Sequence, residues 1–193
     1  MMVSRVLRST ALLGGLSLAL FPAMGLAQGG MEKAPQGAAK PAPLSPRDSL
    51  KATVGGAQIS VNYGRPSKRG RVLFGGLADM QWGMVWRMGA NEATAFTTSK
   101  PLQFGALVVP AGSYTLRVLL QEKGPWQLVI NKQTGNWGTE YKPEMDLGRV
   151  PMVMTETPAV VEKMEITVTP KGPGGELAVT WDRRRAAVAF VVK

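Results

Sequence analysis

The sequence predicts an all-β fold over residues 47–193, an antiparallel β-sandwich or a partly closed barrel, and three observations support this prediction. Apolar and polar residues alternate with a period of two along six short segments, so each segment directs one face toward a core and one toward water. Turns rich in glycine and proline separate the segments. No long segment in this range shows a helical apolar stripe, and many short strands at this spacing are typical of sandwiches and barrels.

The alternating segments follow one another toward the C-terminus. They occupy residues 57–63, 114–120, 126–130, 150–154, 164–168 and 177–181. Within the second segment the pattern directs Thr115 and Arg117 to solvent. A last run at 186–192 is apolar on both faces, which predicts a central position in a sheet. A short helix or helical turn is expected at 71–77.

The N-terminal part of the chain predicts export. Arg5 and Arg8 precede a helical apolar stretch, and small residues at the signal peptidase positions end at Ala27. Residues 1–27 are therefore interpreted as a cleaved signal peptide, whose apolar stretch is too short to span a bilayer. Residues 28–46 contain almost no large apolar side chain and are expected to form a disordered linker. The mature chain then has no transmembrane segment, and we expect it to be periplasmic or secreted.

Two missing residue types narrow the chemistry. The 193 residues include no cysteine and no histidine, which excludes disulfides, thiolate nucleophiles, a Ser-His-Asp triad and the usual zinc, copper and haem sites. A metal would have to be a hard cation held by oxygen atoms, and no metal site or cofactor is predicted. The formal net charge of +10 fits a soluble basic surface or one that attracts anionic glycans or lipid headgroups.

Two long connections carry most of the candidate ligand-binding residues. They lie at 63–75 and 86–94, and both are dense in charged, amide and aromatic side chains. The candidate residues are Tyr63, Arg65, Lys68, Arg71, Trp86, Arg87, Asn91, Glu92 and Trp137. The basic loops at 65–71 and 183–185 do not interleave aromatic with basic residues as single-strand binders do, so no nucleic-acid partner is predicted.

The segment around Arg87 has two interpretations. In the first, Trp86 anchors the core, while Arg87 points to the opposite face and pairs with a carboxylate such as Glu92. In the second, Arg87, Asn91 and Glu92 form a polar cluster that hydrogen-bonds a sugar or a carboxylate ligand. Trp137 likewise either tucks under the sheet edge or offers a stacking surface to a sugar.

The order of the motifs carries a family resemblance. Tyr-x-Arg-Pro at 63–66 is followed by Trp-Arg-x-Gly-Ala-Asn-Glu at 86–92, Pro-Ala-Gly-x-Tyr at 110–114 and Trp-Gly at 137–138. This arrangement resembles the domain of unknown function 2911 family of exported bacterial proteins, over roughly residues 53–190. The resemblance implies an exported β-rich domain and no particular activity. Met88 departs from it, because a small hydroxyl residue is expected at that position, and Lys68-Arg69-Gly70-Arg71 is one residue longer than the usual Lys-Gly-Arg.

These observations together predict a non-catalytic binding or envelope-associated module, with a glycan or an anionic envelope component as its partner. One alternative is a carboxylate-dependent glycan hydrolase, which needs two facing carboxyl groups. The candidates for that role are Glu92, Glu140, Glu144 and Asp146. Another alternative is a structural or interaction protein that uses an exposed sheet edge or an apolar patch. The oligomeric state stays open.

Overall fold

The computed structural model describes residues 44–193, which form eleven β-strands and one 3-10 turn, Pro143–Met145. The strands are β1 Arg47–Val54, β2 Ala57–Gly64, β3 Val85–Trp86, β4 Thr94–Thr98, β5 Leu102–Phe104, β6 Leu107–Val109, β7 Gly112–Leu119, β8 Gln127–Asn131, β9 Asp146–Pro151, β10 Val153–Lys171 and β11 Gly174–Val192. The predicted signal peptide and the predicted linker up to residue 43 lie outside the described residues. No helix in the described range is long and apolar enough to cross a membrane.

The strands form two sheets in which every pairing is antiparallel. The first sheet has seven strands in the order β1-β2-β4-β7-β8-β9, with β3 paired to β7. The second has four strands in the order β10-β11-β5-β6. Two register shifts interrupt the long β10–β11 hairpin between Glu156 and Glu165, which allows the hairpin to bend.

The two sheets enclose a shared core, and of the two predicted architectures the sandwich is confirmed, since the sheets do not close into a barrel. Trp86 on β3 and Trp181 on β11 stack across the core with ring centroids 5.9 Å apart. The hydroxyl of Tyr63 on β2 accepts a hydrogen bond of 3.2 Å from the backbone N–H of Ile166 on β10. Aromatic contact and a buried hydrogen bond therefore both connect the first sheet to the second.

The C-terminal apolar run lies on a central strand, as the sequence predicts. β11 pairs with β10 on one side and with β5 on the other. Ala186, Ala187 and Val188 are buried, so both faces are covered there. Ala189 is exposed and Val191 is 41% exposed, so the expectation of burial on both faces is wrong from residue 189 onward.

The segment predicted to be a short helix or helical turn at 71–77 contains one turn. The N–H of Leu77 and the N–H of Gly76 donate to the carbonyl oxygen of Leu73 over 3.0 and 3.1 Å. Two consecutive glycines, Gly75 and Gly76, lie inside this turn, and glycine is a poor helix former, which explains why the helix does not extend.

The outer face of β7 is buried, which contradicts the predicted alternation. Thr115 and Arg117 are each only 2% exposed, although both lie on the polar face of the strand. The connection between β8 and β9 covers them: Thr115 Oγ1 donates to the carbonyl of Gln133, and Arg117 donates to the carbonyls of Gly138 and Glu140. This covering segment places a charged side chain beneath the surface of the domain.

Candidate functional site

The connection from Arg87 to Thr94 is hydrogen-bonded to neighbouring backbone. The N–H of Ala90 donates to the carbonyl of Gly64 at the end of β2 over 3.2 Å, and the N–H of Gly138 donates to the carbonyl of Asn91 over 2.9 Å. Thr94 Oγ1 donates to the carbonyl of Met88 over 2.8 Å. These bonds tie the connection to β2 on one side and to the β8–β9 connection on the other.

Two residues of this connection adopt backbone angles that most side chains avoid. Met88 has φ 52° and Asn91 has φ 63°, both in the left-handed region. A left-handed asparagine is common, but a left-handed methionine costs of order 1 kcal/mol and persists only where its surroundings enforce it. Met88 is fully buried, so core contacts enforce the turn at this position, and the small hydroxyl group that the family resemblance predicts here is replaced by an apolar anchor.

Arg87 forms an ion pair, but not with the residue that the sequence suggested. Its Nη2 lies 2.9 Å from Asp79 Oδ2, and its Nε donates to the carbonyl of Gly89 over 3.2 Å. Glu92 instead pairs with Arg47 at the start of β1 over 2.8 Å. The expectation that Arg87 pairs with a carboxylate is confirmed, and Glu92, the partner suggested as an example, is wrong.

A cleft of about 340 Å³ opens beside Arg87. Its lining consists of Asp79, Met84, Val85, Arg87, Arg117, Gly138, Thr139 and Tyr141. We call it the Arg117 cleft. The ionised side chains of this lining are two guanidinium groups and one carboxylate, so the cleft has a net charge of +1.

Arg117 is the most unusual of the lining residues. Its Nη1 donates to the carbonyl of Gly138 over 2.8 Å and its Nη2 to the carbonyl of Glu140. Its buried Nε has no hydrogen-bond partner in the described part of the chain, and no carboxylate there lies within ion-pair distance. Burial lowers the pKa of Arg117, the nearby Tyr141 and Asp146 offset part of this effect, and the charge of Arg87 lowers the pKa by a smaller amount. A buried arginine without a carboxylate is costly unless another anion compensates it.

Tyr141 forms the side wall of the cleft next to Arg117. The Arg117 guanidinium lies 4.8 Å from the centroid of the Tyr141 ring, close enough for a cation–π contact. The Tyr141 hydroxyl donates to Asp146 Oδ2 over 2.6 Å, and Arg149 also binds that carboxylate at 2.9 Å. Burial and the Asp146 carboxylate together raise the pKa of Tyr141 to about 12. Asp146 thus hydrogen-bonds Tyr141 and Arg149 directly, and it raises the pKa of Arg117 only as a more distant charge.

The Arg87–Asp79 pair also borders a second cleft of about 260 Å³, which includes Asn91 and Trp86 in its lining. The structure therefore brings together two of the three residues of the predicted cluster of Arg87, Asn91 and Glu92. Arg87 and Asn91 share this second cleft, whereas Glu92 is part of neither lining.

The remaining candidate residues divide between the core and a separate surface. Tyr63 and Trp86 are 2% and 1% exposed and serve the core. Lys68 pairs with Asp182 at 3.1 Å, and Arg71 donates to backbone carbonyls of its own loop, although it also borders the second cleft.

The last two candidates lie at the surface. Arg65 lies 3.4 Å from Asp48. Trp137 is 48% exposed and forms a β-bridge with Glu92, next to Gly138 of the Arg117 cleft.

Sequence reasoning missed Arg117, Asp79 and Tyr141. Arg117 reads as an ordinary solvent-facing residue of an alternating strand, and its burial depends on a covering segment some twenty residues further along the chain. The neighbouring Trp-Gly motif at 137–138 is the available signal, because Gly138 hydrogen-bonds Asn91 and Arg117 and leaves no room for a Cβ atom beside Arg87.

The fold and the cleft define an antiparallel β-sandwich domain with an arginine-lined cleft under its β8–β9 connection. A family model described as "Protein of unknown function (DUF2911)" matches residues 45–190, and the chain belongs to this family. The match confirms the resemblance carried by the Trp-Arg-x-Gly-Ala-Asn-Glu motif. No curated protein and no solved structure matches the chain.

Proposed function

We propose that this domain is a non-catalytic binding module that takes a small monoanion, a carboxylate joined to an apolar body, in the Arg117 cleft. The single observation that carries the proposal is the burial of Arg117 without a carboxylate partner in the described chain. Because an uncompensated buried charge is destabilising, an anion that binds beside it gains a strong, weakly screened attraction.

The shape and composition of the cleft support this ligand class. Met84 and Val85 provide apolar wall, and Tyr141 adds an aromatic face. The net charge of +1 from Arg87, Arg117 and Asp79 matches one carboxylate. Guanidinium groups bind carboxylates in a planar, often bidentate arrangement. The volume of about 340 Å³ lies at the lower end of the range for small-molecule pockets.

An exported location accompanies this proposal. The basic start, the apolar stretch and the small residues that end at Ala27 support cleavage by signal peptidase, and with it a periplasmic or secreted binding module. An anionic envelope component that carries a carboxylate beside an apolar portion fits the cleft, whereas an acidic glycan would use only its arginines.

The two alternative functions gain less support from the geometry. A glycan hydrolase needs two carboxyl groups across a groove, and Asp79 is the sole carboxylate among the described lining residues of the Arg117 cleft. Glu92 is held by Arg47, and Asp146 is held by Tyr141 and Arg149. An interaction surface would use exposed apolar residues, and Met84, at 43% exposure, is already a wall of the Arg117 cleft, whereas Trp137, at 48% exposure, lies outside its lining.

Calorimetric titration with benzoate tests the proposal, with benzyl alcohol and acetate as comparison ligands that lack the charge or the apolar body. We expect benzoate to bind and the two comparison ligands to bind at least about tenfold more weakly. Arg87→Ala should weaken benzoate binding by about tenfold or more, since it removes a charge-assisted contact. Arg183→Ala, an exposed arginine outside the cleft lining, is the matched control and should leave binding unchanged.

A second substitution, which is expected to strengthen benzoate binding, makes this test more specific. Asp79→Asn removes the carboxylate that competes for Arg87 and raises the net charge of the cleft by one. We expect it to tighten benzoate binding by about threefold to tenfold. If no carboxylate binds, or if the Arg87 and Asp79 variants shift binding in the same direction, the proposal is wrong.

A further inference from the structure

We propose a second anion site on this domain, a basic groove that binds a phosphate group. The groove has a volume of about 450 Å³ and lies between the start of β1, the segment after β2 and the middle of β10. Its basic residues are Arg47, Arg65, Arg69 and Lys163, and its acidic residue is Asp48. It shares no lining residue with the Arg117 cleft, so this inference is independent of the proposed function.

The charge of the groove is unbalanced in favour of an anion. Arg47 is paired with Glu92 and Arg65 with Asp48. Arg69 and Lys163 have no carboxylate within ion-pair distance in the described chain. Two cations of the lining therefore have no ion-pair partner, although the Glu162 carboxylate lies beside the backbone of Arg69, and this excess of positive charge suits a phosphate monoester near neutral pH.

The arginines of the groove are held in place before any ligand arrives. Arg65 Nε donates to the carbonyl of Met164 on β10 over 2.9 Å, which fixes its guanidinium group beside the groove. Arg69 Nη2 donates to the carbonyl of Leu44 over 2.9 Å, and the Arg69 backbone N–H donates to Glu162 Oε1 over 2.8 Å. Binding then costs less side-chain entropy than it would with freely moving arginines.

The position of Lys163 completes the arrangement. Ser67 and Lys163 form a β-bridge, so the segment after β2 lies directly beside β10 at this point. Lys163 therefore lines the same groove as Arg65 and Arg69. Arginine forks and a lysine point charge are the side chains that proteins combine around phosphate oxygens.

The lining favours phosphate over the other anions. It offers little apolar wall of the kind found in the Arg117 cleft, so a carboxylate with an apolar body gains little from it. In the described chain it also includes no aromatic ring, which a nucleic-acid groove would use to stack bases. A compact, doubly charged group is the ligand that this lining fits best.

Titration of inorganic phosphate at low ionic strength tests the site. We expect Lys163→Ala to weaken binding by about tenfold, because one close cation is lost. Asp48→Asn should tighten it by about threefold, because the acidic residue of the lining, which competes for Arg65, is removed. Lys123→Ala, an exposed lysine in the turn after β7, removes the same charge elsewhere and should leave binding unchanged.

Sedimentation with vesicles distinguishes a lipid phosphate from a soluble one. Vesicles of phosphatidylcholine with phosphatidic acid present a phosphate monoester, and vesicles of pure phosphatidylcholine are the control. Binding to the first that inorganic phosphate displaces indicates a lipid headgroup, and inorganic phosphate binding without vesicle binding indicates a soluble phosphate. Both results support the site. Absence of both, or binding that the Lys163 and Asp48 variants leave unchanged, contradicts it.

Discussion

Arg117 on β7 donates a hydrogen bond of 2.8 Å to the carbonyl oxygen of Gly138 in the β8–β9 connection. The same glycine donates its N–H to the carbonyl of Asn91, so one residue joins the buried guanidinium to the connection that carries Arg87. The two arginines of the cleft are thus positioned by a shared backbone contact. The proposed site depends on this contact more than on any motif that is continuous in the sequence.

The close contact at Gly138 predicts that a methyl group there disrupts the cleft. A Cβ atom on Gly138 would lie 2.5 Å from the Asn91 carbonyl oxygen and 2.6 Å from Arg87 Cδ, so neighbouring backbone has to move. We expect Gly138→Ala to lower the free energy of unfolding by about 1–3 kcal/mol and to weaken benzoate binding as well. Chemical denaturation measures the first effect. Gly135→Ala is the comparison variant: Gly135 has a positive φ and no neighbour within 4 Å, so this substitution measures backbone strain without a steric clash.

The hydrogen bond between Tyr63 and Ile166 predicts a structural role for a residue that the sequence placed among ligand-binding candidates. Tyr63→Phe leaves the buried N–H of Ile166 without its acceptor and should lower the free energy of unfolding by about 1–3 kcal/mol. Tyr114→Phe is the matched control and should cost less, because the Tyr114 hydroxyl donates to Pro110 in a partly exposed turn. Benzoate affinity should not change in either variant. A loss of affinity in Tyr63→Phe with unchanged stability would return Tyr63 to the ligand site.

The tyrosines predict an unusual alkaline titration. The chain has three, Tyr63, Tyr114 and Tyr141. Burial raises the pKa of Tyr63 and of Tyr114, and burial with the Asp146 contact raises the pKa of Tyr141 to about 12. A native-state absorbance titration should therefore show much less than half of the tyrosine ionised at pH 10, the ordinary tyrosine pKa.

The same shifts fix the direction of the effect on stability. The folded pKa lies above the unfolded value, so this contribution is fully present below pH 10 and is lost as the pH rises toward about 12. The denatured protein serves as the reference and should titrate near the ordinary value. Identical native and denatured titrations would show that the three hydroxyl groups are not sequestered.

Acidic pH should weaken the second sheet through Glu176. Hydrogen bonds from Lys171 and then from Arg185 lower the pKa of Glu176 below its ordinary value of 4.5. Because the folded pKa is depressed, the contribution to stability is present above pH 4.5 and is lost as the pH falls through the folded value. Glu176→Gln should flatten the acid limb of the stability curve measured by urea unfolding. An unchanged acid limb would mean that other carboxylates account for it.

The strand pattern was predictable because alternation records which face of each strand meets the core. Tyr114, Leu116 and Val118 on β7 are all buried as that pattern requires. Burial of Thr115 and Arg117 on the opposite face was not predictable, because a distant connection covers it and leaves no periodic signal on β7 itself. The alternating pattern predicts which face of a strand meets the core, and only the tertiary structure shows that the opposite face is also covered.

The ion-pair partners of the charged motif residues could not be predicted from the sequence either. Glu92 is five positions from Arg87, yet its partner is Arg47, which pairs from the first strand. Arg87 pairs with Asp79 because the loop that carries Asp79, which has no regular secondary structure, passes beside it. Ion pairs at the surface depend on small differences in loop path, and neither pattern nor composition encodes them.

The most direct test of the account is the ¹⁵N-resolved Nε–H resonance of Arg117, assigned by its loss in Arg117→Lys and followed during titration with benzoate. We predict that this resonance shifts with saturation at the calorimetric affinity, that benzyl alcohol leaves it in place, and that the Nε–H of Arg183 does not move. If the Arg117 resonance stays fixed while benzoate saturates the protein, the ligand binds elsewhere and Arg117 is a buried structural charge.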